Sequence, residues 1–167
     1  MQNKIIQTNY TILSLDELTP IEDNLVKKAE HALENAHAPY SNFKVGCALL
    51  LSDETILEAS NQENASYGLT TCAERNALVA AGSMGKKDKV VMLAVVGSPV
   101  DKLGEKVSED KENIVSPCGA CRQVIKEYED LSGKKITILF KTNAQRIYKI
   151  EGIDSLLPFS FGPSNLQ

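Results

Sequence analysis

Asn61-Gln62-Glu63-Asn64-Ala65-Ser66-Tyr67-Gly68-Leu69-Thr70-Thr71-Cys72-Ala73-Glu74-Arg75 takes its meaning from a second stretch, Pro117-Cys118-Gly119-Ala120-Cys121-Arg122-Gln123. The first supplies one thiol and, two residues on, a carboxyl group; the second supplies two thiols one helical turn apart. Three cysteines can hold a zinc ion and leave its fourth position open for water, which distinguishes a catalytic site from a closed structural one. A carboxyl group beside that open position can move protons. Cys72, Cys118 and Cys121 are thus the expected metal ligands, with Glu74 the expected acid and base.

All three cysteines fall at helix starts, one opened by Thr71 and the other by Ser116-Pro117. Helix N-termini carry partial positive charge and unpaired N–H groups, which stabilise thiolates. Zinc with three thiolates is net negative, and two helix ends together with Arg75 offset that charge. In an ideal helix Glu74 points about 200° round from Cys72, which suits a proton shuttle better than a metal ligand. Other readings exist for each part alone. Thr71-Cys72-Ala73-Glu74 is also a capping box. Cys118-Gly119-Ala120-Cys121 could be a redox dithiol or half of a structural zinc site. Free cysteines are often core residues, and Cys47 in an apolar strand reads that way. The combination Cys-Ala-Glu with Pro-Cys-x-x-Cys is harder to explain so, and matches the three-cysteine zinc deaminase signature.

Around these stretches the chain reads as alternating elements. Residues 1–17 form an extended arm with Ile5, Ile6, Ile12 and Leu13 as docking points. Thr19-Pro20-Ile21-Glu22 announces a helix through a cap, a proline at its first position and a capping box. Ile21, Leu25, Ala29, Leu33 and Ala36 predict its buried stripe, and Ala38-Pro39 its end. Residues 44–51 and 56–59 predict a hairpin. The Thr71 helix has a face of small residues, Ala73, Ala77, Ala80 and Ala81 with Leu78, and Gly82 as its stop. Lys89 to Gly97 suits a strand covered on both faces. Residues 98–113 read as a surface loop, and the third helix carries Cys118, Cys121, Ile125, Tyr128 and Leu131 on one stripe until Gly133. Strands at 135–140 and 146–150 follow, with a short turn at 153–157. This order predicts a three-layer α/β/α sandwich around a mixed sheet of about five strands. Residues 18–167 are expected to be one catalytic domain behind the arm.

Five ordered blocks resemble the small, three-cysteine, homotetrameric cytidine deaminases: residues 38–46, 61–67, 72–75 and 116–124, then Leu156-Leu157-Pro158 with Phe161-Gly162-Pro163. The resemblance implies hydrolysis of cytidine and deoxycytidine to the uridine forms with release of ammonia. It implies zinc on Cys72, Cys118 and Cys121, with Arg75 hydrogen-bonding the thiolates. Glu74 would take a proton from the attacking water, protonate N3 as C4 is attacked, and later protonate the departing amino group. Phe43 would pack on the pyrimidine, Asn61 and Glu63 would bind the ribose 3′-hydroxyl, and Ala73 would also contact substrate. Tyr67 and Phe161 resemble residues that a neighbouring subunit lends to the site, so the homotetramer would share its active sites. The arm and the 98–113 loop exceed the compact pattern. Cys47 and Ala59-Ser60 also depart from it, where alanine and Gly-Cys are usual.

Composition narrows the field. The chain has 167 residues, 43% hydrophobic and 24% charged, which suits one globular domain. A net charge of -4 weighs against a polynucleotide partner but not against a small nucleoside. The N-terminus does not read as a signal peptide, and the longest apolar run, Val90 to Val96, is too short to cross a bilayer. A cytoplasmic protein with reduced thiols and no membrane partner is expected. His31 and His37 are expected to face solvent. The rival readings are a deaminase of a modified cytosine nucleoside such as an antibiotic, a polynucleotide-editing deaminase, a non-catalytic zinc-stabilised binding module, and a dithiol redox protein.

Overall fold

A computed structural model describes residues 2–100 and 113–166. Its elements run β1 (Thr11–Leu13), α1 (Pro20–Ala32), β2 (Phe43–Leu51), β3 (Ile56–Ser60), α2 (Ala73–Ser83), β4 (Val90–Pro99), α3 (Gly119–Ser132), β5 (Thr137–Lys141) and β6 (Ile147–Glu151). The sheet order is β1-β6-β5-β4-β2-β3, with β4 and β5 parallel and the other neighbours antiparallel. The expected fold is present, with six strands instead of about five. The extra strand lies within the expected arm, where Thr11, Ile12 and Leu13 pair with Lys149, Tyr148 and Ile147 of β6. Tyr10 stacks on Tyr148, which in turn stacks on Phe140. Ile5 and Ile6 are exposed and do not dock. Most of the expected 98–113 loop lies outside the described residues.

Side chains alternate across each strand, and helices cover both faces. Cys47, Leu49 and Leu51 of β2 point into one core with Leu93, Val95, Ile138, Phe140 and the helical residues Ala73, Ala77, Leu78, Ile125 and Tyr128. Ala48 and Leu50 point into a second core with Ala94, Val96, Leu139, Ile147 and the α1 residues Leu25, Val26 and Ala29. Gly46 lets α1 approach closely, because a Cβ there would lie 2.0 Å from the Ala29 carbonyl oxygen.

The capping box of α1 forms as expected: the Thr19 hydroxyl accepts from the Glu22 N–H, and Glu22 Oε2 accepts from the Thr19 N–H at 2.9 Å. The buried stripe of α1 differs by one residue from the expected phase. Ile21 is 42% exposed, while Glu22 is 3% exposed and accepts from Lys149 Nζ at 2.8 Å. A charge can be buried here because its cap and a lysine satisfy it. Ala80 on α2 and Leu131 on α3 are likewise exposed. Helix α2 passes the expected stop at Gly82, whereas Gly133 does end α3, in the left-handed conformation. His31 and His37 are exposed; His31 pairs with Glu58 at 2.6 Å.

Burial raises the Glu22 carboxyl pKa, but hydrogen bonds from Lys149 and Thr19 outweigh it and hold the group below its ordinary value. A depressed carboxyl pKa stabilises the fold above the unfolded value, and the gain is lost as pH falls through the folded value. Glu22→Gln is therefore expected to cost about 1–3 kcal/mol at neutral pH. Thermal melts of both proteins across acid pH check this: the gap should close as the pH drops below the ordinary glutamate range. A gap independent of pH refutes the assignment.

Candidate active site

The two strands that flank β2 explain why two helices begin at one place. Strands β3 and β4 both run antiparallel to β2, so they run parallel to each other. Helices α2 and α3 follow them and start beyond the same end of the sheet, the usual location of sites in open α/β folds. Cys72 is the N-cap of α2 and Cys118 the N-cap of α3, with Cys121 in the first turn of α3.

Among the described residues, the three sulfurs of Cys72, Cys118 and Cys121 all lie within 4.8 Å of one another. Cys72 and Cys118 are 3.8 Å apart, and Cys118 and Cys121 are 3.4 Å apart. Three sulfurs at about 2.3 Å from one tetrahedral zinc lie roughly 3.8 Å from each other, so the cluster fits the ion. An all-sulfur donor set also selects zinc over harder cations. All four cysteines are free thiols, and Cys47 is fully buried in the core as expected.

Hydrogen bonding from Cys121, against a burial penalty and helped by Arg75 and Cys118, holds the Cys72 thiol down to about 5. The Cys121 thiol is pushed up by sharing that bond and by burial. Arg75 Nη2 donates to the Thr70 carbonyl at 3.1 Å and to Cys72 Sγ at 3.7 Å. Arg75 Nε is buried without a partner among the described residues. The guanidinium thus lies against the sulfur cluster, in the position expected of it.

Glu74 is 4% exposed, and burial pushes its carboxyl up to about 7. The charge on Cys72 also raises it, while bonds to its own backbone N–H and to the Cys121 thiol pull the other way. The carboxyl group therefore faces the sulfurs. The expected 200° turn away from Cys72 does not apply, because Cys72 is an extended N-cap residue (φ -70, ψ 153) and not part of the helix. The alternative capping box does not form either: Cys72 caps α2, and the Thr71 hydroxyl donates to the Leu69 carbonyl.

The remaining candidates surround this centre unevenly. Ala73 is fully buried beside the ligands. The Phe43 ring starts β2 and crosses Gly97 of β4, where a Cβ would lie 2.8 Å from the ring and 2.7 Å from Val115. Asn61 spends its amide on β2: Oδ1 accepts from the Val45 N–H and Nδ2 donates to the Phe43 carbonyl, both at 2.9 Å. One amide hydrogen and one lone pair remain for a ligand. Glu63 Oε2 accepts from the backbone N–H groups of Tyr40 at 2.8 Å and Ser41 at 3.2 Å. Glu63, Tyr40, Ser41, Tyr67 and Thr70 line a pocket of about 210 Å³. Tyr67 and Phe161 are 72% and 57% exposed on the single chain. Sequence reasoning missed Arg122, which lies inside the second quoted stretch and braces the Cys118 turn; only its place beside Cys121 hinted at that.

Fold and site define a class: an α/β/α protein with a three-sulfur zinc centre beside a buried carboxyl group, the arrangement of zinc-dependent deaminases. A family profile described as the cytidine and deoxycytidylate deaminase zinc-binding region matches residues 20–136. The chain is 50% identical over 143 residues to a cytidine deaminase of Halalkalibacterium halodurans, covering 86% of this chain and 96% of that protein. A crystal structure of cytidine deaminase from Burkholderia pseudomallei superposes with a TM-score of 0.67 at 36% identity, over 83% of this chain and 97% of the other. The cytidine deaminase structure from Mycobacterium tuberculosis gives 0.58 at 32% identity, over 84% and 96%. The chain belongs to the zinc-binding cytidine and deoxycytidylate deaminase family.

Proposed function

We propose that the chain hydrolyses cytidine and deoxycytidine to uridine and deoxyuridine, consuming water and releasing ammonia. The observation that carries this is the convergence of three free thiols from two helix starts beside the buried Glu74 carboxyl. Cys72, Cys118 and Cys121 hold the zinc ion, and Arg75 tempers their charge. Zinc held there supplies a Lewis acid that activates water for attack at neutral pH. Glu74 takes one proton from the water that attacks C4 and delivers it to N3. It then carries the second to the amino group, which leaves as ammonia.

Phe43 packs on the pyrimidine, Ala73 lies against it, and Asn61 and Glu63 bind the ribose 3′-hydroxyl. A carboxylate at that point accepts a free hydroxyl and repels a phosphate. Residues 18–167 act as one catalytic domain in a cytoplasmic enzyme of pyrimidine salvage, with no nucleic acid or membrane partner. The test is to incubate the purified protein with cytidine, deoxycytidine, cytosine and cytidine monophosphate, following ammonia release alongside zinc content. Turnover of the two nucleosides is expected. Turnover confined to the free base or the monophosphate contradicts the assignment.

The working unit is a homotetramer whose active sites are shared. Tyr67 and Phe161 support this, together with Leu69, Val79 and Phe159, because each is a large apolar side chain left exposed on the single chain, and such groups gathered in a patch mark interaction surfaces. Phe161→Ala is expected to lower kcat/KM well beyond its effect on folding, which stays within about 0.5 kcal/mol as at other exposed positions. Kinetics paired with sedimentation check this. A dissociated monomer with normal turnover refutes shared sites.

A further inference from the structure

Arg122 sits on α3 one residue after Cys121, and its guanidinium holds three acceptors, two in the turn that enters α3 and one in a distant segment. Nε donates to the Pro117 carbonyl at 2.7 Å, Nη2 to the Ser116 hydroxyl at 3.2 Å, and Nη1 to the Leu156 carbonyl at 2.9 Å. Pro117 immediately precedes Cys118. Leu156 lies in the C-terminal segment that runs from Ile153 to Phe161. Two other α3 side chains pin the same segment. Two turns further along α3, Glu129 Oε1 accepts from the backbone N–H groups of Ile136 and Ile153 at 2.8 and 2.9 Å. Gln123 Nε2 donates to the Phe161 carbonyl at 2.8 Å.

We propose that Arg122 is a positioning residue that locks the turn entering Cys118 to the C-terminal segment carrying Phe161, so that the metal loop and that segment act as one rigid unit. The proposal rests on the assignment of Cys118 and Cys121 as ligands. Of the three α3 side chains that pin the segment, Arg122 also reaches back to the residue before a ligand. Its planar fork supplies the donors at fixed angles, which a lysine cannot reproduce. Groups behind the metal ligands set how firmly the ligands are held, and their loss typically costs about 10–100-fold in metal affinity or activity.

The test compares the zinc-loaded wild type with Arg122→Ala, Arg122→Lys, Ser116→Ala and Gln123→Ala. Zinc release to the chelator 4-(2-pyridylazo)resorcinol and amide hydrogen exchange over 153–161 are both followed. Arg122→Ala should release zinc about 10–100-fold faster and loosen the amides after 156. Arg122→Lys should fall between it and the wild type. Gln123→Ala should loosen only the amides near 161 and leave zinc release unchanged. If Arg122→Ala does not fold, Arg122→Lys and Ser116→Ala still remove part of the brace and should release zinc faster. Release at the wild-type rate from the folded Arg122 variants overturns the proposal, even if their melting temperatures fall. A wild type that binds no zinc contradicts the ligand assignment, and the proposal with it.

Discussion

Glu74→Gln is expected to lower kcat by about 10²–10⁴-fold, the usual contribution of a positioned acid and base, while zinc content and melting temperature stay near those of the parent. The amide matches the carboxylate in size and still makes hydrogen bonds, but it cannot take a proton from water or give one to a ring nitrogen. Helix capping does not explain the residue, since Cys72 caps α2. Glu74 is buried and interacts with Cys72 and Cys121, the thiols of the proposed metal centre. The measurement is steady-state kinetics with cytidine beside metal analysis of the same preparation. A non-catalytic zinc-stabilised module would be indifferent to the change. Full turnover in the variant would remove Glu74 from the chemistry.

Cys118→Ala should have the second large effect, on metal and fold together. Cys118 is exposed, and its packing contribution is small. What it supplies is one of three sulfurs, and removing it leaves two donors for an ion that needs at least three from the protein. The loss in zinc affinity should exceed the roughly 10–100-fold that loss of an outer partner costs. Because bound metal stabilises only the folded chain, a site saturated 100-fold above its dissociation constant contributes about 2.7 kcal/mol. In a domain of this size that is about 5–10 °C of melting temperature. Metal analysis and melts with and without chelator check this. A variant that keeps one tightly held zinc would show that Cys118 is not a ligand.

The sulfur cluster was legible because residue type carries its chemistry: few arrangements bring three thiols and a carboxyl group to two helix starts. Both covered faces of the sheet were legible from the valine-rich β4 and the β2–β3 hairpin. The sixth strand was not, because Thr11–Leu13 is too short for alternation to show and is fixed mainly by pairing with β6. The phase of α1 at Ile21 is not legible because a buried Glu22 violates the apolar rule, and the distant Lys149, with the Thr19 cap, shows why it is tolerated. The direction of Glu74 was not legible from an ideal helical turn, since that turn is counted from a residue that lies outside the helix. Asn61 is expected to face ligand, and the structure shows its amide joining Val45 and Phe43. That bracing depends on a fold-back invisible in the order of residues.

X-ray absorption at the zinc edge on the purified, catalytically active protein tests the central claim most directly. The account predicts about three sulfur neighbours at roughly 2.3 Å and one lighter atom near 2.0 Å, all lost in Cys72→Ala and Cys118→Ala preparations. Four sulfurs, or a shell of nitrogen and oxygen alone, would contradict it.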